Sequence, residues 1–241
     1  GMQLRKWNEL RKFMRTREVR KYYNIVNKRR ASLMVKRLFD IVVASIMLAV
    51  LALPMLIIAI LIKCDSRGPV FFRQERVTQY GRIFKIYKFR TMVVNANELG
   101  ASVTVDNDRR ITRMGKLLRK IRADEFPQLF NILAGDMTLV GTRPEVPEYV
   151  KQYSKEMYAT LLLPAGLTSR TSIAYKDEDK ILGNAANPDK AYVEEVLPAK
   201  MQYNLEALRK FGFAEDCRVL WDTFESVVGS ERLSVTKSRR R

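Results

Sequence analysis

Histidine is absent from this sequence. That excludes a Ser-His-Asp triad, a histidine-ligated zinc and any imidazole base. Cysteine occurs twice, at Cys64 and Cys217, too few for a disulfide framework or a metal cluster. Acid–base or covalent chemistry must therefore draw on carboxylates, lysine, tyrosine, serine or a thiol. Negative charge is also scarce: 26 Asp and Glu stand against 44 Lys and Arg, a net charge of +18. Such a surplus fits an anionic partner, whether nucleic acid, acidic lipid or a phosphorylated substrate. No nucleic-acid-binding module is recognisable and the positive charge is spread along the chain, so nucleic acid is not expected as the partner. No cleavable signal peptide is apparent; a basic stretch precedes the hydrophobic run. At 241 residues, 47% of them hydrophobic, the chain can bury one sizeable domain or two small ones.

What is present begins with "IVVASIMLAVLALPMLIIAILIK", in which Ile41 to Ile62 are 22 uncharged residues. As a straight helix they would measure roughly 33 Å, enough to span a bilayer. Both flanks are basic, with Lys28, Arg29, Arg30, Lys36 and Arg37 before and Lys63, Arg67, Arg73 and Arg76 after. Positive residues stay on the cytoplasmic side, so both ends favour the same face. Pro54 sits inside the run; it removes an N–H, crowds the preceding turn and predicts a kink. The expectation is a re-entrant helix, with a spanning helix and a buried soluble helix as the alternatives. Asp40 is placed to cap the start of the helix. Upstream, Leu4, Trp7, Leu10, Phe13 and Met14 recur at helical spacing among Lys and Arg. This predicts an interfacial amphipathic helix over residues 2–16, or else a solvated basic arm.

After the run, "GPVFFRQERV" and "IFKIYKFRTM" are rich in aromatic and β-branched residues and predict a hairpin, Val70–Val77 with Ile83–Met92. Asn95 to Arg110 is polar and reads as a loop. Helices are expected at Ile111 to Ile121, over "ADEFPQLFNILAG", at Pro144 to Leu163, at Ala191–Phe211 and at Ala214–Val228, with a short extended piece in "DMTLVGTRPE" and a short strand in "PAGLTSRTSIAYKDEDK". In "ADEFPQLFNILAG", Asp124 suits the N-cap, Pro127 the first turn and Gly135 the stop. The tail from Lys237 is basic.

Asp124 and Glu125 follow Lys116, Arg119, Lys120 and Arg122. One reading is an acidic first turn favoured by the helix dipole. The other is a carboxylate beside a phosphate-binding helix end, able to attack phosphorus or hold a divalent cation. Lys88 and Arg143, read by themselves, are equally solvated surface charges.

"KRLFDIVVASIMLAVLALPMLI", "GPVFFRQERV", "IFKIYKFRTM", "RADEFPQLFNILAGDMTLVGTRPE" and the distal "GFAEDCRVL" together resemble the bacterial sugar transferases, the monotopic polyprenyl-phosphate phosphoglycosyl transferases. The likeness runs from about Lys36 to Leu220. It implies transfer of a sugar-1-phosphate from a UDP-sugar to undecaprenyl phosphate with release of UMP, the first membrane step of exopolysaccharide, capsule, O-antigen or glycoprotein glycan synthesis. By the same resemblance Asp124 is the nucleophile of a ping-pong reaction through an aspartyl-phosphosugar. Glu125, with Asp124, would bind Mg²⁺. Lys88, Arg143 and Arg90 would contact phosphate, and Asp216 would lend support near the distal helix. The implied location is the cytoplasmic face of the bacterial inner membrane, against anionic lipids. A catalytically inactive scaffold of a polysaccharide assembly complex is the alternative.

The expected architecture is α+β, monotopic, with a re-entrant N-terminal helix, a small β-hairpin and several amphipathic or interfacial helices. Its segments are a basic amphipathic stretch over 1–35, the membrane helix over 36–64 kinked at Pro54, a cytoplasmic catalytic domain over 65–230 and a basic tail over 231–241. Leu53 stands where many relatives have serine before the proline, and Thr142 where many have proline. "LLPAGLTSRTSIAYKDED" departs from the usual pattern in a region expected to shape the sugar pocket, so no sugar is assigned. A homo-oligomer is left open, since no interface is specified.

Overall fold

The computed structural model describes residues 3–100, 103–104, 108–175, 182–183 and 185–238, the side chains of 97 and 228–238 excepted. Residues 176–179, the end of the stretch expected to shape the sugar pocket, lie outside the described residues, as do 180–181 and the end of the basic tail from 239. The fold is α+β, with two small sheets among the described residues packed against helices.

The expected amphipathic helix over 2–16 does not form over its described part, residues 3–16. They make two 3₁₀ turns, Trp7–Glu9 and Lys12–Met14. Leu4, Leu10 and Met14 are buried in the protein rather than presented to lipid. Helix α1 (Arg17–Lys28) explains the difference. Thr16 caps it, accepting from the Val19 N–H at 3.3 Å, and it buries Val19, Tyr22, Tyr23 and Val26 on one stripe. The upstream chain is laid across that stripe by hydrogen bonds that a helix would have used internally. Tyr23 OH donates to Arg5 O at 2.9 Å, and Arg5 N–H donates to Tyr80 OH at 3.0 Å.

Helix α2 (Arg30–Asp65) is 36 residues long, about 54 Å if straight. It is the one helix among the described residues long and apolar enough to cross a membrane. It starts well before the expected boundary at Lys36, and helical backbone continues on both sides of Pro54. The proline does not end the helix. Asp40 is no cap: it lies ten residues inside, buried, with Oδ2 accepting from Thr138 Oγ1 at 2.6 Å and Oδ1 from Leu139 N–H at 3.2 Å. One stripe of α2 (Leu33, Lys36, Asp40, Ala44, Met55, Ile62) is buried against the rest of the protein. The opposite face exposes Leu38, Val42, Ile46, Val50, Leu53, Ile57 and Ile60.

The hairpin forms where aromatic and β-branched residues predict it. Strands β1 (Phe71–Val77) and β2 (Ile83–Phe89) pair antiparallel, Phe72 opposite Lys88. A second, two-stranded sheet pairs β3 (Met137–Val140) in parallel with β4 (Ala165–Thr168). All four residues of β3 are buried, and Met137, Leu139 and Val140 pack with Ala44 of α2. Helix α3 (Arg113–Lys120) and helix α4 (Gln128–Ala134) lie against α2. Arg37 of α2 donates to the carbonyls of Ile132 (2.7 Å) and Leu133 (3.0 Å) at the end of α4.

Pro144 to Leu163 is not one helix. It is a single helical turn at Pro147–Val150 and a 3₁₀ segment at Met157–Leu162. Its apolar residues serve two cores: Tyr149 and Tyr153 pack with Tyr192 and Leu197, whereas Ala159, Leu161 and Leu162 pack with α1. A straight helix cannot reach both. Toward the C-terminus a π-turn (Tyr192–Val196) runs into helix α5 (Leu197–Arg209), and helix α6 (Phe213–Ser238) continues ten residues past the expected end.

Candidate active site

Asp124 is not the N-cap of α4. Pro127 holds that position, and Ala123–Glu125 form a separate 3₁₀ turn. The turn is entered through Arg122 in the left-handed region, φ 55°, a conformation that is uncommon outside glycine and recurs at functional sites. Gly135 ends α4 at φ +86°, as the sequence predicts. The turn also depends on how closely α3 approaches Thr91, just past the end of β2. A Cβ on Gly115 would lie 2.0 Å from Thr91 O, so only glycine allows the contact. Arg119, one turn further along α3, donates to Thr91 Oγ1 (3.2 Å) and Thr104 Oγ1 (3.0 Å).

The turn faces a cleft of about 730 Å³ that Lys88, Arg76, Arg119, Arg122 and Arg143 also line. Lys88 Nζ lies 3.3 Å from Glu125 Oε1, and Arg143 Nη2 donates to the same oxygen at 2.9 Å. Lys88 comes from β2; Arg143 comes from the loop after β3. That loop is fixed to β1: Arg76 donates to Pro144 O at 3.0 Å, and Val77 N–H to Glu145 O at 2.9 Å.

The two adjacent carboxylates are driven apart. Burial works to raise Glu125, but Arg143 and Lys88 overcome it and hold Glu125 far below the usual range. Burial raises Asp124, opposed by Lys88 and assisted by the Glu125 charge. Burial, with the Arg143 charge beside it, pulls Lys88 from 10.5 to about 8 against Glu125 and Asp124. Glu125 is thus a fixed anion clamped by two cations, while Asp124 makes no ion pair among the described residues. Paired carboxylates with diverging proton affinities are a mark of a reactive site. For a divalent cation, no group of three or more His, Cys, Asp or Glu occurs among the described residues. Two carboxylates suffice for Mg²⁺, which takes one or two carboxylates together with substrate phosphates. The donor set fits a metal that arrives with a diphosphate.

Two of the predicted site residues are held by partners outside the Asp124–Glu125 turn. Arg90 borders the cleft, but its guanidinium donates to Pro69 O (2.7 Å), Ser66 Oγ (2.6 Å) and Ser66 O (2.9 Å), joining the end of α2 to β2. Asp216 is buried on α6, in an ion pair with Lys36 of α2; Lys36 also donates to Val140 O at 2.8 Å. Sequence reasoning passed over Arg76, Arg119 and Glu145. Arg76 had a signal that only the register supplies: it shares a strand face with Phe72, which sits opposite Lys88.

The sequence profile of the bacterial sugar transferases matches residues 31–230. This chain belongs to the bacterial sugar transferase family. The matched span contains Lys88, Asp124, Glu125 and Arg143. It is 36% identical over 198 residues to the UDP-N-acetylgalactosamine-undecaprenyl-phosphate N-acetylgalactosaminephosphotransferase of Aeromonas hydrophila, covering 80% of this chain and 44% of that protein. The UDP-glucose:undecaprenyl-phosphate glucose-1-phosphate transferase of Klebsiella pneumoniae is 33% identical over 78% of this chain and 39% of its own length. The undecaprenyl-phosphate galactose phosphotransferase of Salmonella typhimurium is 34% identical over 62% of this chain and 34% of its own. The chain spans less than half the length of each of these three sugar transferases.

Proposed function

We propose that the protein transfers a sugar-1-phosphate from a UDP-sugar to undecaprenyl phosphate, giving the undecaprenyl-diphosphate sugar and UMP, as the first membrane step of exopolysaccharide, capsule, O-antigen or glycoprotein glycan synthesis. The relatives' names supply the reaction class. The observation that carries the reading is the Asp124–Glu125 turn, in which Lys88 and Arg143 both hold Glu125 while Asp124 faces the same cleft with no ion pair among the described residues.

An Asp124 oxygen attacks the phosphorus that bears the sugar. The phosphorus–oxygen bond to UMP breaks, and UMP leaves with the bonding electrons. A phosphate oxygen of the lipid then attacks the aspartyl-phosphosugar and returns the carboxylate. An ionised carboxylate and a lipid phosphate attack without a general base, which accords with a sequence devoid of histidine. Arg143 presents a planar fork and Lys88 a point charge to the phosphoryl oxygens. Asp124 and Glu125 would hold Mg²⁺, which supplies further charge neutralisation for the diphosphate.

The same reading makes α2 a re-entrant anchor on the cytoplasmic face of the inner membrane. Lys36 and Asp40, near one end, bond to β3 and α6. Asp65, at the other end, accepts from the Met114 N–H at 3.0 Å. One polar unit therefore grips both ends, whereas a spanning helix would separate them by the bilayer. The apolar outer face of α2 would enter lipid, with Pro54 relieving Val50 O of its helical partner, and the basic flanks would meet anionic headgroups.

Purified protein in nanodiscs, given a UDP-sugar and undecaprenyl phosphate, should release UMP. Without acceptor it should carry the sugar phosphate on Asp124, visible by mass spectrometry. Asp124→Asn should lose both while still partitioning to membranes. UMP release at the wild-type rate from Asp124→Asn would overturn the covalent route, and labelling that puts the two ends of α2 on opposite sides of a vesicle would overturn the anchor.

A further inference from the structure

The asparagine of "FPQLFNILAG" takes no part in the steps above. Asn131 lies on α4, six residues beyond Glu125, and is 1% exposed. Its amide faces the backbone of β2. Oδ1 accepts from Tyr87 N–H at 2.8 Å, and Nδ2 donates to Lys85 O at 3.0 Å. Those backbone groups are two residues apart, the spacing at which one edge of a strand meets a neighbour. β2 pairs with β1 alone among the described residues, so Asn131 stands where a third strand would add. The backbone also fixes which way the amide points, because the Tyr87 N–H can only donate and the Lys85 carbonyl only accept. Phe130, beside Asn131 on α4, adds a ring contact to Tyr87, centroids 6.1 Å apart. Lys88 follows Tyr87 directly.

We propose that Asn131 is a positioning residue for the transfer: it docks the edge of β2 on α4 and so holds Lys88 at the Asp124–Glu125 turn. The inference rests on the sugar-phosphate transfer proposed above. Phe84 and Ile86 of β2 share a core with Leu129 and Ile132 of α4, but apolar contact is non-directional and permits sliding. Two hydrogen bonds at a fixed spacing do not. A slip of one residue moves a strand by about 3.4 Å and turns its side chains to the opposite face. Smaller errors already matter, since a displacement of about 1 Å at a reacting centre costs about 10²-fold in rate. The Asn131 amide bonds to β2 and not to Asp124 or Glu125, so its effect on the site runs through Lys88.

Asn131→Leu keeps the bulk of the side chain and removes both bonds. Two readouts in nanodiscs test the role. The first is hydrogen exchange by mass spectrometry, which reports the clip whatever reaction the protein runs. The peptide that contains Tyr87 should exchange about tenfold faster or more in the variant. The second is UMP release from a UDP-sugar with undecaprenyl phosphate, measured at a temperature where circular dichroism shows every variant folded. Asn131→Leu should lower kcat/KM by about tenfold or more. Introduced into Lys88→Ala, the same substitution should cost less than about twofold further, because the group it positions is gone. An equal loss in both backgrounds would make Asn131 a general structural residue and overturn the role. So would an unchanged kcat/KM in Asn131→Leu, or unchanged exchange at Tyr87. A wild-type protein that releases no UMP would remove the transfer reading and the role with it, whereas faster exchange in the variant would still show the clip. Should Asn131→Leu not fold, Asn131→Ala carries both readouts.

Discussion

Lys88 is expected to set the alkaline limit of the proposed transfer. Its ammonium is buried beside Arg143 and lowered to about 8, although Glu125 lies 3.3 Å away. At pH 7 about nine-tenths of the free protein carries the charge, and at pH 9 about one-tenth. Values of kcat/KM report groups of the free enzyme. They should hold to about pH 8 and then fall about tenfold per pH unit. The profile of kcat should fall later, because bound diphosphate favours the charged lysine. Lys88→Arg should abolish the limb, since guanidinium does not titrate in that range. Lys88→Ala should lower the whole profile by about 10²–10³. Unfolding is separable by sign. The folded-state value lies below the ordinary 10.5, so between about 8 and 10.5 the unfolded chain binds more protons and this group's contribution to stability rises with pH. Activity should thus fade while the melting curve holds. Tyr149 does not confuse the window, because burial and the neighbouring Asp189 push it upward. A profile flat to pH 10, or an identical limb in Lys88→Arg, would refute the assignment.

Gly115→Ala forces α3 off Thr91 O, where its Cβ would stand at 2.0 Å. The variant should lose at least about 2 kcal/mol in chemical denaturation, and activity should drop with it because α3 carries Arg119. Lys36→Met strips the partner from buried Asp216 and should cost about 3–5 kcal/mol, whereas Lys36→Met with Asp216→Leu should regain about half of that. Thermal unfolding in detergent checks both, and a double variant no better than the single would contradict the pairing.

The hairpin was legible because its strand preferences, its turn and its burial agree. Gly135 was legible because a positive φ leaves few other choices. Residues 2–16 misled because helical spacing alone cannot distinguish a helix from short turns laid under a neighbouring helix; Leu4, Leu10 and Met14 satisfy both patterns. Pro144 to Leu163 misled because its apolar residues divide between two cores, a division no local window contains. At the site, the Asp124–Glu125 pair could be found in the sequence, as could Lys88 and Arg143 through the family resemblance. The left-handed Arg122 that aims the pair, and the diversion of Arg90 to Ser66, depend on long-range contacts and had no local mark.

The order in which the chain leaves the ribosome gives α2 a second task. Arg37 closes the end of α4, Asp40 takes the Thr138 hydroxyl and the Leu139 amide, and Lys36 waits for Asp216. All three donors and acceptors on α2 are synthesised before the partners they serve. The helix is therefore a template on which the later segments assemble, and a version cut free of it would lack part of its own interior. Trimming α2, the proposed anchor, is a poor route to a soluble form of this protein; exchanging its outward-facing leucines and isoleucines for polar residues, with the inner stripe left intact, is the sounder one.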